Sequence, residues 1–318
     1  MPDRADFEEL VNLAMTVPGR THMRPVVEKE LLHYDILFCL EQARLLDQLT
    51  FQGGTALRLC HGSARFSEDL DFAGGTDFTS RDLQQIRDCI EEYIQPRYGM
   101  EVEVKEPRDL HENLVDVGLN ISKWQVSITT APERRDLPRQ RIKIEVAGIP
   151  AWTREPRALL VNYNFLPDGY ADTLVMTETL DEIMADKLIS LVNTERYVRN
   201  RDIWDLRWLK QQNAVVDLDL VNKKIRDYRI SDYPDKLEVM LRRLPEIIHG
   251  ETFRNEMIRF VPVEVQERTL AKDKFHDFLE AEVRGLLTQV RSGLMGASRT
   301  MRSKCETKRP FRAENQDT

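Results

Sequence analysis

The sequence has 318 residues, of which 41% are hydrophobic and 31% charged, a composition typical of a soluble globular protein. Its formal net charge of −8 argues against a surface coated with positive charge for non-specific nucleic-acid binding. No apolar run approaches the roughly 18 residues that a membrane span needs, and the acidic N-terminus lacks the apolar core of a signal peptide. We therefore expect a cytoplasmic protein without membrane spans. The four cysteines are scattered without CxxC spacing, so we expect no disulfide framework and no zinc site.

The first half of the chain predicts helices interleaved with short strands. Apolar residues at three- and four-residue spacing predict a helix over about 25–46, followed by a strand at 49–52 and a helix over 55–61. A strand is predicted at 70–73, and a helix capped by Thr79-Ser80 should reach about residue 93. Further strands are predicted at 100–105, within 115–130, at 141–147 and at 174–176, where apolar and polar residues alternate or apolar residues cluster.

The second half of the chain predicts helices. Thr179-Leu-Asp-Glu182 has the spacing of a capping box and should open a helix that ends near residue 194. A second helix is predicted over 202–212, and at least three more before Gly293. We therefore predict an α+β protein. A mixed-sheet domain flanked by helices (1–176) precedes an all-helical domain (177–295) and a disordered basic tail (296–318).

Two neighbouring motifs point to a site for phosphate and metal. Gly53-Gly54 lies where a predicted strand gives way to a helix, and a helix N-terminus there would present N–H groups to phosphate. Thr55 and Ser67 add hydroxyl groups near this turn. Asp69 and Asp71 lie two positions apart on the next strand, so both carboxylates should point to one side of it. Either motif alone is common in proteins that bind no nucleotide.

Carboxylates with this spacing suit a pair of Mg²⁺ ions about 3.5–4 Å apart, as used in phosphoryl transfer. Magnesium takes one or two carboxylates together with substrate phosphates, so a nucleoside triphosphate would complete its coordination. Glu145 offers a third carboxylate on the polar face of the 141–147 strand. Without further context, Glu145 could equally be the cross-strand partner of a lysine or arginine.

A glycine turn, an acidic pair on the next strand and a later acidic strand residue resemble the polymerase-β-like nucleotidyltransferase superfamily. More specifically, Phe51-Gln-Gly-Gly-Thr-Ala-Leu57 and Arg65-Phe-Ser-Glu-Asp-Leu-Asp-Phe72 resemble the AbiEii/AbiGii-type nucleotidyltransferases. These are toxins of bacterial abortive-infection (antiviral defence) and type IV toxin–antitoxin systems. The resemblance extends over about residues 25–210. It departs at Gln52, where lysine is frequent in the family, and at Glu145, where aspartate is expected.

Two later motifs of that family also have matches. One is Lys187 in the predicted helix Glu182-Ile-Met-Ala-Asp-Lys-Leu-Ile-Ser190, and the other is the pair Arg201-Asp202, with Asp205 one helical turn further on. The resemblance implies an enzyme that transfers a nucleoside monophosphate from an NTP to an acceptor hydroxyl and releases pyrophosphate. It implies Mg²⁺ bound by Asp69, Asp71 and Glu145. The implied catalytic residues are Asp69, Asp71, Lys187 and Asp202. The implied nucleotide-binding residues are Gly53, Gly54, Thr55, Arg65, Ser67, Lys187 and Arg201.

Several of these roles stay open at the level of sequence. Lys187 would reach the triphosphate as a point charge, and Asp202 would either hold Lys187 or act as the base for the acceptor hydroxyl. Arg65 and Arg201 could contact phosphate or brace Asp69 and Asp202.

The acceptor also rests on the resemblance, which implies RNA, namely the 3′ end of tRNA, together with a separately encoded antitoxin as partner. Two basic stretches, 134–143 and 299–312, could bind RNA phosphates. An aminoglycoside-like small molecule or a protein hydroxyl is the alternative acceptor, and the acidic net charge suits a cationic molecule better than RNA. A third possibility is a nucleotide-binding interaction module without turnover. The NTP used and the oligomeric state are not predicted.

Overall fold

The fold is built around a mixed sheet, seen in a computed structural model that describes residues 6–110, 120–131, 133, 139–194 and 197–306. Seven strands of the described chain form this sheet, in the order β3-β4-β5-β2-β1-β7-β6. In chain order they are β1 (Thr50–Gln52), β2 (Leu70–Ala73), β3 (Val102–Lys105), β4 (Ile121–Ile128), β5 (Gln140–Ala147), β6 (Glu155–Ala158) and β7 (Leu174–Thr177).

The position of β2 in the sheet decides what surrounds the acidic pair. β2 lies between β1, which runs antiparallel to it, and β5, which runs parallel. In this register Asp71 lies opposite Gln52 of β1 and opposite Glu145 of β5. The acidic residues that are 74 positions apart in the sequence are therefore neighbours on adjacent strands.

Helices flank the sheet and then make up the second half of the chain. The first group is α1 (Phe7–Met15), α2 (Arg24–Gln42), α3 (Gly53–Leu59) and α4 (Ile86–Tyr98). The second group is α5 (Leu180–Val192), α6 (Asn200–Gln211), α7 (Leu218–Asp227), α8 (Tyr233–His249), α9 (Glu251–Ile258), α10 (Val263–Arg268) and α11 (Asp273–Glu306). The predicted α+β class, a mixed sheet flanked by helices, is confirmed. No helix of the described chain is long and apolar enough to cross a membrane.

Some local predictions differ from the structure. The helix predicted over 25–46 ends at Gln42, and Arg44 just beyond it takes a left-handed conformation with φ of 60°. Thr79 does form a capping box, but it caps a short 3-10 turn at Ser80–Leu83, after which α4 begins. Helix α1 and strand β6 were not predicted. Strand β6 pairs along only one side, at the sheet edge, and most of it is exposed, so it carries no hydrophobic alternation.

The helical part ends later than the predicted residue 295. Helix α11 continues to Glu306, so the helical part extends beyond residue 295. Residues 307–318 lie outside the described residues, as do Arg134 and Arg135 of the first basic stretch and residues 115–119.

Buried apolar side chains form two large clusters. One joins the sheet to α1, α2 and α4, and the other is made by the helices from α5 onward. Each cluster receives one side chain from the opposite half, because Leu57 of α3 packs in the helical cluster and Phe260 packs in the sheet cluster. The backbone N–H of Phe66 also donates to the carbonyl of Phe260 at 2.8 Å. The halves therefore interlock through side chains and backbone.

A buried ion cluster also connects β7 to the helices. The ammonium of Lys224 in α7 lies 2.7–2.9 Å from carboxylate oxygens of Glu178, Glu182 and Asp186. The side chains of Lys224, Glu178 and Glu182 are fully buried. Burial opposes ionisation of Glu182, but Lys224 and hydrogen bonds from Thr153 outweigh it and lower the pKa of Glu182. A buried cation with three carboxylates around it is costly to remove, since the acids would lose their compensation.

We predict that Lys224→Met lowers the free energy of unfolding by about 3–5 kcal/mol at pH 7, because it leaves buried carboxylates unpaired. Urea unfolding measures this change. Lys223→Met is the matched control: this neighbour pairs with exposed Asp219, and its loss should cost about 1 kcal/mol or less. Because the pKa of Glu182 is lower in the folded protein, its ionised carboxylate stabilises the fold fully above the ordinary pKa of 4.5. This stabilisation is lost as the pH falls below that value and the carboxylate is protonated. The gap between wild type and Lys224→Met should therefore narrow below that pH, and a gap independent of pH would contradict the role of Lys224.

Candidate active site

A cleft of about 530 Å³ lies between the β2–β5 region of the sheet and the α5–α6 helices. It gathers nine of the eleven residues that the sequence predicts for the site, namely Gly54, Arg65, Ser67, Asp69, Asp71, Glu145, Lys187, Arg201 and Asp202. The other two, Gly53 and Thr55, do not line the cleft. Residues that come from both halves of the chain thus face one space.

The glycine turn packs against the acidic pair and against Arg65. Gly53 has φ of +77°, and a Cβ placed there would lie 2.6 Å from the Asp71 carboxylate. A Cβ on Gly54 would lie 2.4 Å from the Arg65 guanidinium. The hydroxyl of Thr55 donates to the backbone carbonyl of Asp69 at 2.5 Å. Positions 53 and 54 therefore require glycine, because the Asp71 and Arg65 side chains approach the backbone closely there. The Thr55 hydroxyl fixes the segment that carries Asp69.

Asp69 and Asp71 are half-buried carboxylates in the cleft. Asp69 accepts a hydrogen bond from the backbone N–H of Lys143 at 3.2 Å. Within the described residues, no lysine or arginine forms an ion pair with either carboxylate. Burial, together with the charges of Glu145 and Asp69, raises the pKa of Asp71 to about 6. Two adjacent carboxylates that lack compensation form a donor set that suits a hard divalent cation such as Mg²⁺.

Glu145 both lines the cleft and pairs with a lysine on the neighbouring strand, as the two interpretations of its sequence position expect. It lines the cleft opposite Asp71. Its carboxylate also forms an ion pair with Lys123 on β4 at 3.1 Å. Because the Lys123 side chain is 56% exposed, this pair is a weak one that a stronger cation could replace.

Lys187 belongs to a buried ion network at the wall of the cleft. Its ammonium lies 2.7 Å from Asp202 and 3.2 Å from Asp205, and Asp202 also accepts from the Ser190 hydroxyl at 2.6 Å. Burial opposes the charge of Lys187, but the two aspartates outweigh it and raise the pKa of its ammonium. Lys187 therefore stays cationic, and Asp202 is the residue that holds it.

Arg65 continues this network into the sheet half. Its guanidinium donates two parallel hydrogen bonds of 2.7 Å to Asp205 and a third to the carbonyl of Phe66. Both Arg65 and Asp205 are buried. Of the two residues that Arg65 could have braced, Asp69 and Asp202, it therefore contacts neither. Its partner is Asp205, which the sequence only placed on the same helix face as Asp202.

Arg201 is held more loosely than Arg65. Its guanidinium lies 3.4 Å from Glu68 and 3.7 Å from Glu256, and it stacks over the ring of Phe260. The side chain is one-third exposed and lines the cleft. Such long contacts leave the guanidinium able to turn toward an anion in the cleft, and it braces neither Asp69 nor Asp202.

Glu68 and Lys143 also shape this site and were not predicted from the sequence. Glu68 binds Lys29 of α2 at 2.9 Å and also Arg201, so it fixes the segment that immediately precedes Asp69. Its place inside the quoted acidic motif was the signal for it. Lys143 lines the cleft with no carboxylate paired to its ammonium among the described residues. The strict alternation of β5 places Lys143 on the same face as Glu145 and could have identified it.

A second group of carboxylates has the spacing of a metal site. Oxygens of Glu178, Glu182 and Asp186 lie within 4.8 Å of one another. However, the Lys224 ammonium already contacts all three at 2.7–2.9 Å. One cation thus offsets part of the group's charge, and burial together with Asp186 raises the pKa of Glu178, which favours its neutral form. Asp69 and Asp71 differ because no lysine or arginine of the described residues pairs with them.

Comparisons with known proteins give one family match and several similar folds. The sequence matches the family model described as "Nucleotidyl transferase AbiEii toxin, Type IV TA system" over residues 35–289. The fold is similar to that of MenT4, a nucleotidyltransferase toxin from Mycobacterium tuberculosis H37Rv. That likeness has 20% identity and a TM-score of 0.50, and it covers 89% of this chain and 90% of MenT4. JHP933 from Helicobacter pylori is similar at 15% identity and a TM-score of 0.46, over 87% of this chain and 97% of that one. No curated protein matches the sequence significantly.

The family match takes in the sheet strands, the cleft and most of the helical half. It confirms the resemblance that the four short motifs indicated. The chain belongs to the AbiEii family of nucleotidyltransferase toxins of type IV toxin–antitoxin systems.

Proposed function

We propose that this nucleotidyltransferase moves a nucleoside monophosphate from an NTP to an acceptor hydroxyl in the cleft. The observation that carries the proposal is that Asp69 and Asp71 have no cationic partner among the described residues while they share the cleft with Lys187. Asp69, Asp71 and Glu145 would hold Mg²⁺, which would neutralise charge on the reacting phosphate oxygens. The deep burial of the neighbouring ion network keeps these groups in place without reorganisation.

Some of the other predicted residues would contact the substrate, and the rest would hold those residues in position. Lys187, held cationic by Asp202, would bind the triphosphate, and Arg201 would turn to it from its long contacts. Gly54 and Ser67 line the cleft and would approach the phosphates closely. Gly53, Thr55 and Arg65 would act as positioning residues, since each contacts other protein groups.

We further propose RNA, specifically the 3′ end of tRNA, as the acceptor, and a separately encoded antitoxin as the partner that restrains the toxin in the cytoplasm. Exposed Arg141 and Lys143 on β5 support an RNA path beside the cleft. Arg139, by contrast, is engaged by Glu101 and Glu103 at 2.9 and 3.1 Å. RNA phosphates would therefore meet the β5 residues first.

We also propose that the halves 1–176 and 177–295 are two domains with the cleft between them. The support is that each half contributes most of one apolar cluster. Limited proteolysis that cuts first near residue 176, with the two fragments still associated, would agree with this division, and first cuts inside either half would contradict it.

We predict that Asp71→Asn lowers nucleotide transfer at least about 100-fold, because it removes a carboxylate that would hold the metal. Transfer is measured as the incorporation of label into tRNA when the protein is incubated with labelled NTPs, Mg²⁺ and total tRNA. Asp47→Asn, at an exposed position outside the cleft, is the control and should keep wild-type activity. Wild-type labelling of an aminoglycoside or of protein, with tRNA untouched, would contradict the RNA acceptor but keep the enzyme.

The same substitution should change metal-linked stability. Because the pKa of Asp71 is raised by burial and by like charges, ionised Asp71 destabilises the metal-free fold as the pH rises past about 6. Asp71→Asn in EDTA at pH 8 should therefore melt at a higher temperature than wild type, with a gain of about 1 kcal/mol after allowance for solvent screening. Millimolar Mg²⁺ should raise the melting temperature of wild type and leave Asp71→Asn unchanged. Equal Mg²⁺ shifts in both proteins would place the metal elsewhere.

We predict that Arg65→Lys acts through position and not through substrate binding. Lysine keeps the charge but cannot make the paired bonds to Asp205, so stability should fall by about 2 kcal/mol. The turnover number should fall while the KM for NTP stays within about twofold, as expected for a group that orients others. Chemical unfolding and steady-state kinetics measure both quantities. A raised KM with unchanged stability would show instead that Arg65 contacts the nucleotide.

A further inference from the structure

The connection between α5 and α6 brings an exposed ring and a cation to the wall of the cleft opposite the sheet. Tyr197 and Arg199 both line the cleft. Tyr197 is 64% exposed, and the guanidinium carbon of Arg199 lies 5.8 Å from the centre of its ring. Neither residue belongs to the motifs that the sequence analysis identified.

Arg199 has no carboxylate partner in the part of the chain that the structure describes. Within the described residues no ion pair engages its guanidinium, whereas Arg201, two positions on, lies near Glu68 and Glu256. Arg199 lines the same cleft as Asp69 and Asp71, with Arg199 on its helical side and the two aspartates on its sheet side. A cation in that position is suited to an anion that enters between it and the carboxylates.

The backbone of Arg199 is fixed even though its side chain is not paired. Its carbonyl accepts a hydrogen bond from the N–H of Asp202 at 3.0 Å, at the start of α6. The neighbouring Asn200 donates its side-chain amide to Glu256 at 2.7 Å. The Arg199 side chain thus extends from a backbone held by hydrogen bonds. An anion that binds the guanidinium therefore has to order only that side chain, which keeps the entropy cost of binding small.

Tyr197 presents an aromatic face beside that cation. A large ring this exposed leaves apolar area in contact with water, which a flat ligand would cover. A tyrosine ring beside an arginine is a stacking surface for a nucleobase whose phosphates lie at the arginine. The Arg199 guanidinium lies over one face of the ring, so a base would stack on the opposite face, which the 64% exposure of Tyr197 leaves open.

We propose that the Tyr197 ring stacks on the base of the incoming NTP and that the Arg199 guanidinium binds its triphosphate. The inference rests on the proposed function, because it takes the nucleotide to lie between Arg199 and the acidic pair. Stacking uses the π-face that every base has, so Tyr197 contributes affinity for all four NTPs and does not select among them.

Equilibrium dialysis with each of the four labelled NTPs, in Mg²⁺ and without acceptor, tests the inference apart from transfer. Tyr197→Ala should weaken binding of every NTP that wild type binds by roughly 10-fold, and Tyr197→Phe should restore it. Arg199→Ala should weaken binding by roughly 10-fold and Arg199→Lys by less, because lysine keeps the charge. In steady-state kinetics the KM for NTP should rise with little change in kcat. The controls Phe278→Ala and Arg87→Ala, at positions that do not line the cleft, should bind as wild type.

The outcomes separate this inference from the proposed function. If wild type binds NTPs and Tyr197→Ala binds them less well, the inference holds even when no acceptor is labelled, a result that would overturn only the proposed transfer. If Tyr197→Ala binds NTPs as wild type does but has a raised KM for tRNA, the ring serves the acceptor and the inference fails. If wild type binds no NTP, both fail.

Discussion

The buried ion network of Arg65, Asp205, Lys187 and Asp202 is the constraint on which the rest of the site depends. It joins the segment before β2 to α5 and α6 through contacts of 2.7–3.2 Å. Buried charges of this kind are stable only as a complete set, because removal of one leaves its partners uncompensated. The two walls of the cleft are therefore held at one separation, and Lys187 is kept cationic where it faces the acidic pair.

The uncompensated charges of the cleft lie on its opposite walls. Asp69 and Asp71 on the sheet side lack cations, and Arg199 on the helical side lacks an acid, within the described residues. Each would be more stable with a counter-ion, as the raised pKa of Asp71 indicates. A metal-bound nucleotide carries both kinds of partner, cation and phosphate. At the Lys224 cluster, by contrast, the protein itself supplies a cation, and the side chains of Lys224, Glu178 and Glu182 are fully buried.

Much of this site follows from local patterns. The alternation of β5 buries Ile142 and Ile144 and turns Glu145 to the cleft, and the two-residue spacing of Asp69 and Asp71 places both on one side. The pairing of Arg65 with Asp205, 140 positions away, could not be predicted, because only the fold decides which acid an arginine meets. Strand β6 could not be predicted for a related reason, because it forms only through its antiparallel pairing with β7. The close approach of Gly53 to Asp71 likewise becomes visible only once β1 pairs with β2.

The central claim is that metal and nucleotide meet at Asp69 and Asp71. The most direct test is anomalous diffraction from crystals grown with Mn²⁺ and a non-hydrolysable nucleoside triphosphate. We expect anomalous peaks beside the carboxylates of Asp69 and Asp71, with the triphosphate between them and Lys187. Peaks at Glu178, Glu182 and Asp186, with none at Asp69 and Asp71, would contradict the account.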